Sequence, residues 1–238
     1  MQKINKNPNN EELKDFFAWL HTNIENGTIA KWLEEKSISE VWAKLIQNPP
    51  VKKSLQNGLL QEQYYLCCYC CNLISSDVTK ITKDIDGIVT YPITIEHYEP
   101  KSNPQRKVFI YSNLLASCDT QASCNKKRGN MPLKYLNPQI AETLENINIK
   151  TYKKKGIDYV ELESKNQEVK NEIDIILGLN YPELQKLRGE LTIKRIKDLI
   201  QKGAEKEELI KLFCKPNAQG KLYPFSFVAE WYINQNYL

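Results

Sequence analysis

Apolar residues recur at the spacing of an α-helix through the first part of the chain. Those predicted to share one face of the first helix are Leu13, Phe16, Phe17, Leu20 and Ile24. Asn10 can cap this helix at its start, and the Asn-Gly pair at 26–27 can end it. Further helices are predicted at about residues 29–35 and 39–46, and the Pro-Pro pair at 49–50 can begin a fourth. We therefore expect residues 1–62 to form an N-terminal helical region.

A β-strand pattern replaces the helical pattern in the middle of the chain. Residues 89–96 (VTYPITIE) are rich in β-branched and aromatic side chains and predict a strand. Residues 75–87 are polar and predict a loop, and residues 98–108 predict a basic loop that contains proline. A short helix is predicted at about residues 123–128. We expect residues 63–135 to form a central unit.

The last part of the chain predicts a hairpin followed by helices. Residues 147–152 and 157–162 read as two strands across a turn at 153–156. From residue 167 onward the pattern is helical, with helices predicted at about 169–177, 182–201, 206–213 and 225–237. Residues 136–238 are thus expected to form a C-terminal hairpin plus helical region. The whole chain is predicted to be α+β and mainly helical.

Composition indicates a globular protein of ordinary size. The chain has 238 residues, of which 41% are hydrophobic and 26% are charged, so it can bury a core of its own. It contains no apolar run long enough to span a membrane, and its N-terminus lacks the apolar core of a signal peptide. We therefore expect a cytoplasmic protein.

Positive charge is concentrated in one stretch. The net charge is +4, yet residues 101–155 contain 11 Lys and Arg against 3 Asp and Glu, an excess of eight. The remainder of the chain must therefore be net negative. A concentrated positive charge is typical of a surface that meets a nucleic-acid backbone, and a solvated basic face is the alternative.

Cysteines supply the clearest chemical motif. Two separated thiol pairs can close one tetrahedral zinc site: Cys67, Cys70, Cys118 and Cys124. In a reducing compartment such a set favours metal over disulfides. The second pair is spaced more widely than usual, so Cys68 and Cys71 remain competing ligands. Cys214 stands alone and is expected to be a small buried residue.

Polar residues between and beside the cysteines form a candidate catalytic group. His97 is one of two histidines, and at the end of a strand it could act as a general base. Glu96 and Asn125 offer oxygen ligands that suit Mg²⁺ or Mn²⁺. Asn113 could pin the loop that orients His97. The other histidine, His21, is expected to be a surface or packing residue.

This arrangement resembles the HNH endonuclease family. In that family a strand-end His, a loop Asn and a helical His or Asn recur in the order in which His97, Asn113 and Asn125 stand here. The zinc-bearing members end their second cysteine pair with Cys-Asn followed by Lys-Gly, and here Arg128 replaces the lysine. The commoner Asp-His pair appears as Glu96-His97. The resemblance implies a central zinc-stapled ββα-metal core, treble-clef-like, flanked by helices.

The likeness narrows to the PtuB-like subgroup. Its motifs are similar to LCCYCC at 66–71, IEHYEPKS at 95–102, YSNLLASC at 111–118 and IDIILGLNYPELQKLR at 173–188. Members of that subgroup accompany a PtuA-like ABC-type ATPase in Septu and retron-linked anti-phage systems. The resemblance therefore implies an ATPase partner and, in retron-linked systems, a retron reverse transcriptase and its DNA.

The sequence leads us to expect a metal-dependent endonuclease. Structural Zn²⁺ would hold the frame, while Mg²⁺ or Mn²⁺ would serve the chemistry. The residues expected to contact nucleic acid are Lys101, Lys126, Lys127 and Arg128. The alternatives are a non-catalytic zinc module that binds nucleic acid and a scaffold for the ATPase. DNA and RNA remain equally possible substrates.

Overall fold

The chain folds as an α+β protein, as its sequence pattern predicts. The computed structural model describes residues 1–102 and 107–236. The helices are α1 (Lys14–Glu25), α2 (Thr28–Glu35), α3 (Ile38–Ile46), α4 (Pro49–Glu62), α5 (Cys124–Arg128), α6 (Ala141–Leu144), α7 (Gln167–Asn171), α8 (Pro182–Arg188), α9 (Arg195–Gln201), α10 (Lys206–Cys214) and α11 (Ser226–Asn236). The strands are β1 (Leu73–Ser75), β2 (Thr82–Lys83), β3 (Val89–His97), β4 (Leu114–Cys118), β5 (Asn148–Lys154) and β6 (Ile157–Glu163).

The N-terminal helices form where the capping residues predict them. The Asn10 side chain accepts a hydrogen bond from the Glu12 amide at 3.0 Å, and a 3-10 turn, Glu11–Leu13, precedes α1. Ser37 caps α3 in a reciprocal arrangement with Glu40. Of the predicted apolar face of α1, Ile24 is exposed, because it lies in the last turn, beyond the packed surface.

β3 is the central strand of the first sheet and is shared by several partners. Its first half pairs with β1 in parallel and with β2 in antiparallel orientation. Its second half pairs with β4 in antiparallel register, from Ile93 opposite Cys118 to His97 opposite Leu114. The predicted loop at 75–87 therefore contains β2, whose two exposed residues give no hydrophobic signal because only backbone bonds hold them in the sheet.

The C-terminal region contains the predicted hairpin and helices. β5 and β6 pair in antiparallel register, with Tyr152 opposite Tyr159. Two π-helical segments follow α7 and α8: Glu172–Ile176 and Gly189–Lys194. They were not predicted, because the spacing of apolar residues does not distinguish α-helical from π-helical turns. Cys214 is half-buried rather than buried. The predicted end of the last helix at Tyr237, and residues 103–106 of the predicted basic loop, lie outside the described residues.

One hydrophobic core draws residues from all three predicted regions. It joins buried side chains of α1 to α4, the cysteine stretch, β4, β6 and the helices after β6. A smaller cluster at the C-terminal end contains Ile196, Leu209, Phe213, Ala229 and Ile233. Within the described part of the chain, none of the helices combines the length and the apolar character needed to cross a membrane.

Gly189 allows the helical segment after α8 to lie directly against β6. A Cβ atom at this position would come within 2.0 Å of the Asp158 carbonyl oxygen, a backbone atom that cannot swing away. We expect Gly189→Ala to lower the free energy of unfolding by about 1 to 3 kcal/mol, the usual cost of overpacking. Urea unfolding measures the change, with Lys194→Ala on the same segment as the exposed control. A Gly189→Ala protein as stable as the wild type would contradict this close contact.

Candidate metal centre and active site

Four buried cysteines converge on one point. The ligand atoms of Cys67, Cys70, Cys118 and Cys124 all lie within 4.8 Å of one another. The Cys67 and Cys124 sulfurs are 3.7 Å apart, as are the Cys70 and Cys118 sulfurs. A tetrahedral Zn²⁺ with bonds of about 2.3 Å places its sulfurs about 3.8 Å apart. The cluster could therefore hold a metal ion such as zinc, and it contains the four predicted residues.

Three separate chain segments deliver these thiols. A tight turn follows Cys67, whose amide donates to the Asn72 carbonyl at 2.8 Å. The Cys118 amide, at the end of β4, donates to the Cys67 sulfur at 3.3 Å. Cys124 begins α5, and its amide donates to the Leu177 carbonyl at 2.8 Å. The wide spacing of the second pair is accommodated because residues 119–123 form the connection between β4 and α5.

The competing cysteines of the first turn lie outside the cluster. Neither Cys68 nor Cys71 belongs to the group of mutually close ligand atoms, although both are buried. Burial raises the pKa of Cys68 well above its ordinary value and raises that of Cys71 to about 11. The position of the sulfurs therefore makes Cys118, and not Cys68 or Cys71, the fourth member of the set.

Glu96 is held in a buried ion pair rather than in an open site. Its Oε1 accepts from the Tyr69 hydroxyl at 2.8 Å and from the Arg128 guanidinium. Arg128 also donates to the carbonyl oxygens of Met131 at 2.7 Å and Tyr98 at 2.5 Å. The Glu96 side chain is 4% exposed and that of Arg128 is 0% exposed. This carboxylate is therefore occupied by a cation that the chain itself supplies.

This ion pair corrects the expectation that Arg128 meets a nucleic-acid backbone. Arg128 lies one turn after Asn125 in α5, on the side of the helix that faces β3. Its guanidinium therefore points into the protein. The ion pair also bears on the expected role of Glu96 as a ligand of Mg²⁺ or Mn²⁺, because both of its contacts fall on Oε1. A divalent ion on the Oε1 side would have to displace the guanidinium.

His97 is buried against aromatic side chains. It is 6% exposed and meets the ring of Trp42 edge-on, with the centroids 4.5 Å apart. Its Nε2 lies 3.1 Å from the Val108 carbonyl oxygen. A carbonyl can only accept, so Nε2 carries the proton and Nδ1 keeps its lone pair. Burial lowers the pKa of His97 to about 4, which keeps the imidazole neutral at pH 7.

Asn113 fixes both ends of the loop that follows His97. Its Oδ1 accepts from the Glu99 amide at 2.6 Å, while its Nδ2 donates to the carbonyl oxygens of Glu99 and Lys107, each at 3.1 Å. The next residue after Lys107 is Val108, whose carbonyl contacts His97. The amide therefore holds the backbone that orients the imidazole, in the positioning role predicted for it.

Asn125 lies on the opposite side of β3 from His97. Its Nδ2 donates to the Thr94 hydroxyl at 3.2 Å, and Thr94 shares a strand face with Glu96. His97 is on the other face, towards Trp42 of α3. The structure thus groups Glu96 with Asn125 and places His97 with Asn113, so the four predicted catalytic residues form two neighbouring pairs.

The lysines predicted to contact nucleic acid differ in how exposed they are. Lys126 and Lys127 are exposed at the start of α5, and Lys126 pairs with Asp119. Lys101 is half-buried. Burial lowers its pKa below the ordinary value, and the nearby Glu96 only partly opposes this shift. A cavity of about 460 Å³ is lined in part by Asn113, Glu99 and Lys107. His97 does not line it.

Several residues of the site were not singled out in the sequence. Tyr69 donates a hydrogen bond to Glu96, and Trp42 covers His97. In each pair the two residues lie far apart along the chain. Tyr69 sits within the cysteine turn, which was the available signal for a role near the cluster. Trp42 gave no signal beyond its place on an apolar helix face, because only packing of α3 on β3 brings it to His97.

Comparisons with known proteins do not place the chain in a family. No model of a known protein family matches it, and no curated protein matches it by sequence. The functional interpretation therefore rests on the geometry of the cysteine cluster and of the His97 region, together with the short motifs quoted above.

Removal of a cluster cysteine should remove the metal. We expect the wild-type protein to carry one zinc ion per chain, and Cys70→Ser and Cys124→Ser to lose it and to unfold at lower temperature, since such binding is coupled to folding. Elemental analysis and thermal melting measure both effects. Cys68→Ala is the matched control, since Cys68 is buried beside the cluster yet outside it. Full zinc content in Cys124→Ser would refute the proposed ligand set.

Burial should keep the His97 imidazole neutral in mildly acidic solution. Its pKa lies below the value of about 6.5 for an unfolded chain, so its contribution to stability is complete above that pH and is lost as the pH falls towards 4. We expect the ring resonances of His97 to show no protonation from pH 7 down to about pH 5. Histidine-labelled NMR measures this, with His21→Gln to assign the signals. A protonation midpoint at or above pH 6 would contradict the buried position.

Proposed function

We propose that the chain is a zinc-stapled HNH-type endonuclease that hydrolyses phosphodiester bonds of nucleic acid. The observation that carries the proposal is the arrangement at the end of β3. There, Asn113 fixes the loop after His97, and the Val108 carbonyl fixes the tautomer of the imidazole. The hairpin of β3 and β4 connects this group to the four-cysteine cluster, because His97 pairs with Leu114 at one end of the ladder and Ile93 pairs with Cys118 at the other.

His97 is proposed as the general base. Its neutral imidazole carries a proton on Nε2, so Nδ1 can take a proton from an attacking water. The hydroxide oxygen then bonds to phosphorus, and the bond to the leaving sugar oxygen breaks with its electron pair on that oxygen. Solvent carries the proton from the imidazolium to the sugar oxygen, which restores the neutral imidazole. The low pKa of His97 makes it a weak base in the buried state, and access of substrate would have to open the cover formed by Trp42. The same chemistry serves DNA or RNA.

The resemblance to HNH nucleases brings with it the proposal of a catalytic Mg²⁺ or Mn²⁺ ion. In the described residues, Oε1 of its expected ligand Glu96 is held by Tyr69 and Arg128. No step of the proposed reaction is therefore assigned to that ion. The four thiols suit Zn²⁺, which would supply a structural link and no open coordination position.

Phosphate contacts are proposed for the exposed lysines next to the site. Lys126 and Lys127 extend from α5 into solvent, and Lys101 follows His97 by four residues. Such contacts position a nucleic acid without reading its sequence. From the motif likeness to the PtuB-like subgroup, we further propose a PtuA-like ABC-type ATPase as partner and a cytoplasmic role in anti-phage defence, with a retron reverse transcriptase and its DNA in retron-linked systems.

A non-catalytic zinc module that binds nucleic acid is the second candidate. The closed state of the site favours it: His97 is almost fully buried, and Glu96 is paired with Arg128. In such a module, Glu96, Tyr69 and Arg128 would serve as a structural connection between β3 and α5. Its binding surface would include Lys126 and Lys127, and neither His97 nor Asn113 would be needed for its activity.

Substitution of His97 tests the nuclease proposal. We expect wild-type protein, with the candidate ATPase and Mg²⁺, to cleave plasmid, single-stranded DNA or tRNA, and His97→Gln to reduce that rate by about 10² to 10⁴-fold, as for loss of a general base. The glutamine amide can still donate to the Val108 carbonyl, so the loop contact is kept. Gel assays of the three substrates measure the rates.

His21→Gln is the matched control, because His21 is exposed and pairs only with Glu25 among the described residues. It should cleave at the wild-type rate. Cleavage by His97→Gln at that rate would refute the assignment of the base. Binding without cleavage by any of the proteins, weakened by Lys126→Ala with Lys127→Ala, would support the binding module instead.

A further inference from the structure

Arg188 is a fully buried cation without a hydrogen-bond partner. It ends α8 and is 0% exposed. Among the described residues, its Nε and its two terminal nitrogens make no hydrogen bond. A buried and uncompensated charge costs several kcal/mol. The structure therefore calls for a negative partner that is not a carboxylate of the described residues.

Packing contacts link this side chain to the first cysteine turn. Arg188 shares the buried face of α8 with Leu184 and Gln185, and its guanidinium stands over the ring of Phe225 at 5.9 Å. The Phe225 amide donates to the carbonyl oxygen of Cys71 at 2.9 Å, which ties that ring to the first cysteine turn.

The segment before α8 is tied to the other half of the cluster. The Leu177 carbonyl accepts from the Cys124 amide at 2.8 Å. Gly178 follows, and a Cβ there would come within 2.6 Å of the Ala122 carbonyl oxygen. The segment that leads into α8 is therefore held against residues 122–124, while Phe225, which packs on Arg188, is held by the first cysteine turn.

Charge explains what the guanidinium compensates. Four thiolates around one Zn²⁺ carry a net charge of −2, and here all four sulfurs are buried. Burial lowers the pKa of Arg188 to about 10, while the thiols of Cys70, Cys71 and Cys124 oppose this fall. The guanidinium thus stays protonated at neutral pH, close to the thiols.

We propose that Arg188 is the counter-ion of the metal-loaded cysteine cluster. Its guanidinium reduces the net charge of the buried site from −2 to −1 and so stabilises the thiolates that bind the metal. It acts as a positioning residue and not as a ligand. This proposal depends on the four-cysteine cluster and not on the nuclease activity, and it gives a role to the arginine that ends the IDIILGLNYPELQKLR motif.

A pair of substitutions separates charge from packing. Arg188→Met keeps most of the volume and removes the charge, whereas Arg188→Lys keeps the charge and loses the guanidinium plane. We expect Arg188→Met to weaken zinc binding by about 10 to 100-fold, the usual effect of losing a residue that supports metal ligands. Arg188→Lys should bind zinc at least tenfold more tightly than Arg188→Met. Chelator competition on the full chain measures both affinities, and it does not require the metal-free chain to fold.

Arg195→Met is the matched control. Arg195 lies seven residues further along the same helical run, and its guanidinium pairs with Asp86 at 3.4 Å. We expect the Arg195→Met protein to bind zinc with unchanged affinity. Equal zinc affinity of Arg188→Met and the wild type would overturn the proposal. Equal losses in Arg188→Met and Arg188→Lys would overturn it as well, since they would assign Arg188 a packing role.

Discussion

The convergence of four thiols is the constraint on which the rest of the structure depends. Cys67 and Cys70 come from a turn after α4, Cys118 ends β4 and Cys124 begins α5. A metal ion at their centre would fix the β-hairpin and the short α5 against each other. A helix of five residues is too short to be stable alone, so its position must come from such a link and from its packing.

The polar residues of the candidate active site are bound to one another and to the backbone rather than open to solvent. Arg128, held by α5, neutralises Glu96 of β3, and breaking a buried pair of this kind leaves an uncompensated charge. On the other face of β3, Asn113 and the Val108 carbonyl hold the loop and the imidazole of His97. The two faces are therefore fixed independently. An enzyme built on this frame would need to open at least the His97 face for its substrate.

Compensation of buried charge recurs in the central unit and in the helices after β6. One arginine, Arg128, has a carboxylate partner and several carbonyl acceptors, and its position is explained by contacts that the structure contains. The other, Arg188, has none among the described residues and lies beside the thiols. The two cations differ in what they balance: one stabilises a fixed ion pair, and the other is proposed to balance a charge that arises when metal binds.

The sequence by itself determined the order of most elements and the presence of a cysteine cluster drawn from residues 67–71 and 118–124. Helix caps such as Asn10, the β-branched and aromatic residues of β3 and the spacing of the cysteines are local signals, so they can be interpreted without knowing the fold. The sequence left Cys68, Cys71 and Cys118 as alternatives, and only tertiary structure chose among them. The tertiary structure also decided that Arg128 turns inward to Glu96 and that Trp42 covers His97. These contacts join residues far apart along the chain, and no local pattern records which face of one element meets another.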